Sequence, residues 1–182
     1  MNEAKTQVWT ETGQGQRARA RQTLQEGWIE IIDRYPWQWF CTLTFGEDVH
    51  PQQADRTFRL WVARLNRFLF GSRWSKKPAR ILFWIRATED QRRGVLHFHV
   101  LVGCPTKDLA HPAVRAFAKK SWLELARFSK IESIRSQTRV SRYLTKGVKR
   151  GCEIDVCPNL RDVPCITWDA DYQISGGGPD HG

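Results

Sequence analysis

The feature that most constrains the fold of this chain is a pair of histidines that alternate with apolar residues. His97 and His99 flank Phe98 within the run Leu-His-Phe-His-Val-Leu-Val, which has the period-two pattern of a β-strand. In a strand both imidazoles face one side of the sheet, and the apolar side chains between them face the other side, where they can be buried. We therefore predict a strand with one polar face that carries two histidines.

A carboxylate is predicted to join these histidines through a hairpin. Residues 81–85 form a second strand-like run, and residues 91–94 have the composition of a tight turn. A hairpin folded about that turn places Glu89 opposite His97. Two imidazoles and a carboxylate on one sheet face make an open site for a divalent metal ion. The alternative is an ordinary solvated strand face with an acidic residue nearby.

Two other segments carry polar side chains at regular spacing. A predicted strand places Thr42 and Thr44 on one face. In a predicted helix over about residues 137–149, Tyr143 and Lys146 are three residues apart and therefore share a face. Taken singly, each segment has a plain interpretation, namely exposed threonines on a strand, or a half-buried tyrosine beside a surface lysine.

In this order, the segments resemble the three motifs of the HUH endonucleases, specifically the rolling-circle replication initiators. In that family a strand ends in Thr-Leu-Thr, as residues 42–44 do here. A His-hydrophobic-His strand follows an acidic residue eight positions earlier, which is the spacing of Glu89 and His97. A later helix carries Tyr-x-x-Lys, as at Tyr143 and Lys146. The three motifs occur in register with one another.

The resemblance implies site-specific nicking of single-stranded DNA and strand transfer. Tyr143 would form a 5′-phosphotyrosine and leave a free 3′-hydroxyl that primes synthesis of a plasmid or phage. A phenol with a pKa of about 10 is a weak nucleophile near neutral pH, so it needs cationic surroundings or a proton acceptor. Lys146 could stabilise the phenolate, contact the scissile phosphate or protonate the leaving oxygen, and the sequence does not choose among these roles.

The predicted cofactor is a divalent metal ion held by Glu89, His97 and His99, with Gln91 as a second choice of ligand. Such an ion would act as a Lewis acid on the phosphate oxygens. Mixed nitrogen and oxygen ligands suit Mn²⁺, and Mg²⁺ could serve because it is abundant in cells.

The predicted partner is single-stranded or hairpin origin DNA. The formal net charge is +10, and no amphipathic helix carries a Lys-rich face, so nucleic acid is favoured over an anionic membrane. The chain has no phosphate-loop signature, so strand separation is assigned to a host helicase or to supercoiling, and extension to a host polymerase. The predicted DNA-binding residues are Thr42, Thr44, Arg92, Arg93, Arg139, Arg142 and Lys149.

Some members of the resembled family carry a second tyrosine four residues after the first, and Gly147 occupies that position here. The expectation is therefore a one-tyrosine enzyme. A transposase of the same superfamily, or a non-catalytic DNA-binding regulator on the same scaffold, remains an alternative. A relaxase is disfavoured, because relaxases place their tyrosine before the histidines and use three histidines.

The predicted fold class is α+β, with a central antiparallel sheet of four or five strands flanked by helices, similar to the topology of RNA-recognition motifs. We predict one domain over residues 16–168, a disordered tail over 1–15 and a flexible tail over 169–182, since 41% hydrophobic content supports one core. The five cysteines, without paired spacing, and the lack of a signal or membrane-spanning run indicate a cytoplasmic protein with reduced thiols.

The predicted helices cover about residues 16–34, 48–70 with Asp48 as N-cap, a region ending near 130, and 137–149. The predicted strands cover 39–45, 81–85, 96–102 and 131–134, with residues 152–168 irregular.

Overall fold

The described residues form four α-helices and five β-strands. The computed structural model describes residues 3–46, 48–76, 80–90, 95–107, 109–148 and 152–166, with side chains from Gly15 onward except that of Asp90. The helices are α1 (Glu3–Asp33), α2 (Pro51–Phe70), α3 (Pro112–Leu125) and α4 (Gln137–Thr145). The strands are β1 (Trp39–Thr44), β2 (Phe83–Asp90), β3 (Leu96–Gly103), β4 (Phe128–Ser133) and β5 (Ile154–Val156).

The strands pair in one antiparallel sheet with the order β4-β1-β3-β2-β5. Helices α2 and α3 cover the face that carries Phe98, where Phe58, Trp61 and Trp122 are buried against one another. Helix α4 packs on α1 and lies over the opposite face, which carries His99. The α+β prediction is therefore confirmed, with five strands in the described part of the chain.

The N-terminal helix is longer than its apolar pattern indicates. The pattern predicts a helix from Gln16, and α1 begins at Glu3, within the segment expected to be a disordered tail. Side chains of residues 3–14 lie outside the described part, and the division into tail and domain stays a prediction. Residues 167–182, which include the predicted C-terminal tail, also lie outside it. Among the described residues, no helix has both the length and the apolar composition needed to cross a bilayer.

Two helices begin with a His-Pro pair, and this corrects the predicted cap of α2. Proline occupies the first helical position, where its missing N–H is not needed, so the capping residue is the histidine before it rather than Asp48. The Nδ1 atom of His50 accepts from the backbone N–H of Gln52 at 3.4 Å. At the start of α3, Nδ1 of His111 accepts from the N–H of Ala113 at 3.2 Å.

The ends of the two edge strands, β4 and β5, are set by their pairing with β1 and β2. Helix α3 ends at Leu125, not near Lys130, because residues 128–133 pair with β1 as strand β4. In this register Ile131 lies opposite Cys41, and both are buried. Strand β5, at the other edge, falls in a segment expected to be irregular. It is only three residues long, and its pairing with β2 is what identifies it as a strand.

A buried arginine connects the sheet to α2 and β5. The side chain of Arg86 is 8% exposed, and its Nη2 atom donates to Asp55 at 2.8 Å and to Asp155 at 3.0 Å. The guanidinium carbon lies 4.7 Å from the ring centroid of Phe58 and 4.4 Å from that of Phe98. The two carboxylates neutralise the charge of Arg86, and its guanidinium fills the space between the rings of Phe58 and Phe98.

The arrangement predicts a large cost for Arg86→Ala. Removal of the buried guanidinium leaves the two carboxylates with only the more exposed Arg59 as a shared partner and opens a gap between the rings, so the free energy of unfolding should fall by about 3 kcal/mol. Arg59 is the matched control, because it contacts the same two carboxylates but its side chain is 51% exposed. Arg59→Ala should cost less than about 1 kcal/mol in urea unfolding. Equal losses would contradict the structural role given to Arg86.

Candidate active site

The two histidines of β3 are held from one side by the two threonines of β1. Thr44 lies opposite His97 and Thr42 lies opposite His99 in the β1–β3 register. The hydroxyl of Thr44 is 2.8 Å from Nδ1 of His97, and that of Thr42 is 3.3 Å from Nδ1 of His99. These contacts use the Nδ1 atoms, so the Nε2 atoms remain for a ligand.

Glu89 approaches the histidines from the other neighbouring strand. The β2–β3 register pairs Glu89 with His97, as the hairpin predicted. The side chain reaches the diagonal neighbour, and its Oε2 atom lies 2.8 Å from Nε2 of His99. The Nε2 atom of His97 is buried and has no hydrogen-bond partner among the described residues. The site therefore contains one imidazole nitrogen bonded to a carboxylate and one left unsatisfied.

Burial favours the neutral form of both imidazoles. It lowers the pKa of His97 below its ordinary value, and the neighbouring His99 lowers it further, while Glu89 acts in the opposite direction. Burial also lowers the pKa of His99, against the hydrogen bond and charge of Glu89 that raise it. A neutral imidazole has the lone pair that a metal ion requires.

The donor set fits a divalent metal ion in its chemistry. Two imidazoles and a carboxylate supply mixed nitrogen and oxygen donors. The buried Nε2 atom of His97, which has no hydrogen-bond partner among the described residues, could bind a metal ion. In this structure Glu89 is instead hydrogen-bonded to His99. Within the described ranges there is no group of three or more His, Cys, Asp or Glu side chains placed so that it could hold a metal ion. No disulfide joins any of the five cysteines, all of which lie in the described ranges.

Helix α4 places Tyr143 beside the histidines. Its ring centroid is 5.4 Å from that of His99 and 5.3 Å from that of Phe40, both in edge-to-face geometry. Tyr143 is 44% exposed, so its phenol remains accessible to a substrate. The Nζ atom of Lys146 lies 4.0 Å from the Tyr143 ring centroid, as expected for residues three apart on a helix.

The opposite face of α4 is fastened to α1 by polar side chains. The hydroxyl of Ser141 donates to the carboxylate of Asp33, and Nε2 of Gln25 lies 3.4 Å from the hydroxyl of Thr145. Ser141 and Thr145 are both fully buried. These contacts fix the rotation of α4 about its axis, which decides where the Tyr143 side chain points. The sequence signal for them is the four-residue spacing of Ser141 and Thr145, opposite Tyr143.

A groove of about 890 Å³ connects these elements. It brings together seven of the predicted site residues, namely Thr42, Thr44, Glu89, His97, His99, Tyr143 and Lys146. The sequence did not predict the rest of its wall, which includes Phe40, Phe45, Arg127, Phe128, Lys130 and Glu132. The signal that could have found the β4 members is the alternation of residues 128, 130 and 132 on one strand face.

Two further predicted DNA contacts lie within the described residues, and neither is brought into the groove. Arg139 and Arg142 are exposed on α4, four residues and one residue before Tyr143, and they do not line the groove. Arg139 shares the helical face of Tyr143, whereas Arg142 lies beside that face. Arg92, Arg93 and Lys149 lie outside the described residues, as does Gln91.

The family model described as replication-associated protein ORF2 matches residues 38–150 of this chain. The match covers more than half of the 182 residues and runs from just before β1 to just after α4. All the residues of the candidate site therefore lie within the matched region. No curated protein matches the chain. No solved structure matches it.

The position after Lys146 is packed against the next loop. A Cβ atom at Gly147 would lie 2.8 Å from Cβ and 3.2 Å from Sγ of Cys152. Cys152 is itself held, because its thiol lies 2.6 Å from the carbonyl oxygen of Thr88 and its N–H donates to the carbonyl of Gly147 at 3.1 Å. There is no room for a side chain where some members of the resembled family carry a second tyrosine.

This packing predicts that Gly147→Ala destabilises the fold. The backbone at Gly147 is not left-handed, so alanine would otherwise stabilise it by about 0.4–1 kcal/mol through the unfolded chain. The clash with Cys152 should reverse the sign and cost about 1–3 kcal/mol in urea unfolding. The control is Gly27→Ala in α1, where nothing lies within 4 Å of the added Cβ and stability should rise by about 0.5–1 kcal/mol. If both variants gain stability equally, the packing at position 147 is not as described.

Proposed function

The chain belongs to the family of replication-associated proteins named for ORF2, and on that premise we propose that it is a one-tyrosine HUH endonuclease that initiates rolling-circle replication. Its reaction is the nicking and rejoining of single-stranded DNA through Tyr143. The observation that carries the proposal is the 5.4 Å separation between the rings of Tyr143 and His99, within a groove that Lys146 also lines. A transposase would use the same residues, and the family is what favours replication.

In the proposed reaction the phenolic oxygen of Tyr143 attacks the phosphorus of the scissile phosphodiester. An O–P bond to tyrosine forms as the bond from phosphorus to the 3′ oxygen breaks. The phenol loses a proton and the 3′ oxygen gains one, so atoms and charge balance. The 5′ phosphate stays on the protein, and its bond energy is available for rejoining without ATP.

Lys146 is proposed to favour this step electrostatically. Its ammonium lies 4.0 Å from the Tyr143 ring centroid, where it stabilises the negative charge that develops as the phenol loses its proton. Of the three roles that the sequence leaves open, this position best supports stabilisation of the phenolate.

The proposed metal ligands are Glu89, His97 and His99, which would hold Mn²⁺ or Mg²⁺. When bound there, the ion supplies Lewis acidity to non-bridging phosphate oxygens. Thr42 and Thr44 are proposed as positioning residues, since their hydroxyls contact the Nδ1 atoms and orient the Nε2 atoms away from β1. Glu89 must release its bond to His99 for a ligand to enter, which its 33% exposed side chain permits.

The proposed substrate is a single strand or the loop of an origin hairpin, and host helicase and polymerase are the proposed partners. An excess of positive charge, formally +10, supplies affinity for any phosphate backbone. Arg139 and Arg142, both exposed on α4, are proposed to contact phosphates beyond the groove.

We predict that Tyr143→Phe abolishes formation of a covalent protein–DNA adduct. The test incubates the protein with Mn²⁺ and single-stranded oligonucleotides that carry candidate origin sequences, and resolves adducts on a denaturing gel. Phenylalanine keeps the ring contacts with Phe40 and His99 but removes the attacking oxygen. Tyr35→Phe is the control and should form the adduct as the unchanged protein does, because Tyr35 packs against Trp37 and Phe83 in the core.

A strong adduct with Tyr143→Phe would move the nucleophile to another residue and end this assignment. If the unchanged protein never cuts an oligonucleotide but binds duplex tightly, a DNA-binding regulator is the better description.

We also predict that His97→Ala separates cutting from binding. The variant should lose at least about 100-fold in cutting rate, since it removes a proposed ligand. DNA affinity should change little, because it comes chiefly from Lys and Arg contacts with phosphate. His50→Asn is the matched control, since it removes an exposed imidazole from the start of α2 and keeps a good N-cap. Equal loss of cutting and binding in His97→Ala would argue against this division of roles.

A further inference from the structure

Strand β4 forms a wall of the groove to which the proposed reaction assigns no role. Its register with β1 pairs Phe128 with Thr44 and Lys130 with Thr42, so these side chains share the sheet face of the histidines. Both line the groove, as does Arg127, the residue just before the strand. The wall therefore carries an aromatic ring with one cationic side chain on each side of it along the chain.

Phe128 is 58% exposed, and within the described ranges no aromatic ring packs against it. A single exposed apolar side chain on a protein surface needs no special explanation. Leu123 on α3, for example, is 65% exposed and does not line this groove. What distinguishes Phe128 is its place inside a polar groove, beside cations and in line with a proposed reaction centre.

The cations beside Phe128 are available to an incoming phosphate. Lys130 contacts Glu132 at 2.9 Å, but the two side chains are 60% and 52% exposed, so the pair is weak and a phosphate can replace the carboxylate. The aliphatic part of Arg127 lies against Gly46, where a Cβ atom would be only 3.0 Å from its Cδ. This contact keeps Arg127 at the groove.

The chemistry of this wall selects its occupant. Cations that hold phosphates on either side of an exposed ring are the pattern that binds single-stranded nucleic acid, because every base offers a face for stacking. A duplex hides those faces within its own stack. The overall charge of +10 agrees with a polyanionic ligand.

We propose that Phe128 is a stacking platform for a base of single-stranded DNA next to the scissile phosphate, and that Arg127 and Lys130 hold the phosphates beside that base. The proposal rests on the function given above for the same groove. Phe128, Thr44 and His97 form one row across three strands. Two strand spacings put the backbone of Phe128 about 10 Å from that of His97 across the sheet, near the reacting phosphate but not on it.

The platform has a specific consequence for recognition. It favours single strands over duplex without reading base identity, because stacking tolerates every base. Its contribution appears in affinity, not in the chemical step, because the ring does not touch the reacting atoms. Phe128 is therefore a substrate-binding residue of the groove and not a catalytic one.

The test compares two probes by fluorescence anisotropy in the absence of divalent metal. One is a fluorescein-labelled oligothymidylate, and the other is a backbone of abasic sites of equal length. Phe128→Ala should bind the oligothymidylate about tenfold more weakly, the loss expected for one stacked base, and bind the abasic backbone as before. Phe128→Tyr should keep the preference for bases, and Phe128→Leu should lose it.

Two matched variants separate stacking from other effects. Leu123→Ala removes an exposed apolar side chain outside the groove and should change neither affinity. Lys130→Ala should weaken both probes equally and reduce the salt dependence by about one phosphate contact. The platform is refuted if Phe128→Ala weakens both probes equally or neither, or if Phe128→Leu binds as well as Phe128→Tyr.

Adduct formation at saturating oligonucleotide is scored separately. If the unchanged protein forms the adduct and Phe128→Ala shows no base-dependent loss, the platform fails and the nuclease stands. If base-dependent binding requires the ring but no adduct ever forms, the platform stands and the nuclease fails.

Discussion

The candidate site depends on the register in which β3 pairs with its two neighbours. Side chains alternate across a sheet, so a slip of one residue would turn His97 and His99 into the core and expose Phe98 instead. The register is held by burial on one face, where Phe98 packs against Phe58 and Phe45. On the other face the threonine hydroxyls and Glu89 meet the imidazoles. The apolar face therefore stabilises the arrangement that the polar face uses.

A second constraint comes from outside the sheet. Helix α4 carries Tyr143 at its exposed surface, and it contributes few apolar residues to the core, mainly Leu144. Its orientation depends on polar contacts with α1, one of which joins the buried hydroxyl of Ser141 to Asp33. The groove is thus built from two parts, a sheet that fixes the imidazoles and a helix pair that brings the phenol to them. A DNA strand would lie between the two, with β4 along one side.

The sequence predicts those parts of the molecule where local pattern and tertiary structure agree. The strict alternation around His97 and the composition of residues 91–94 predict the hairpin. The strand register places Glu89 opposite His97 as expected. The prediction is wrong where pairing with distant residues decides the structure. Local pattern places residues 128–130 in a helical region, because nothing local shows that they pair with β1. For the same reason the side chains of β4 are missing from the predicted site. The hydrogen bond between Glu89 and His99 depends on side-chain rotamers, which the spacing of residues in the sequence does not predict.

In the reaction that we propose, Tyr143 becomes covalently joined to the 5′ phosphate of a cut DNA strand. The most direct measurement is peptide mapping by mass spectrometry of protein that has been trapped on a cleaved single strand and digested with nuclease and protease. One modified peptide is expected, with a nucleotide 5′-phosphate attached to Tyr143. A modification on any other residue, or cleaved DNA with no nucleotide attached to the protein, would contradict it.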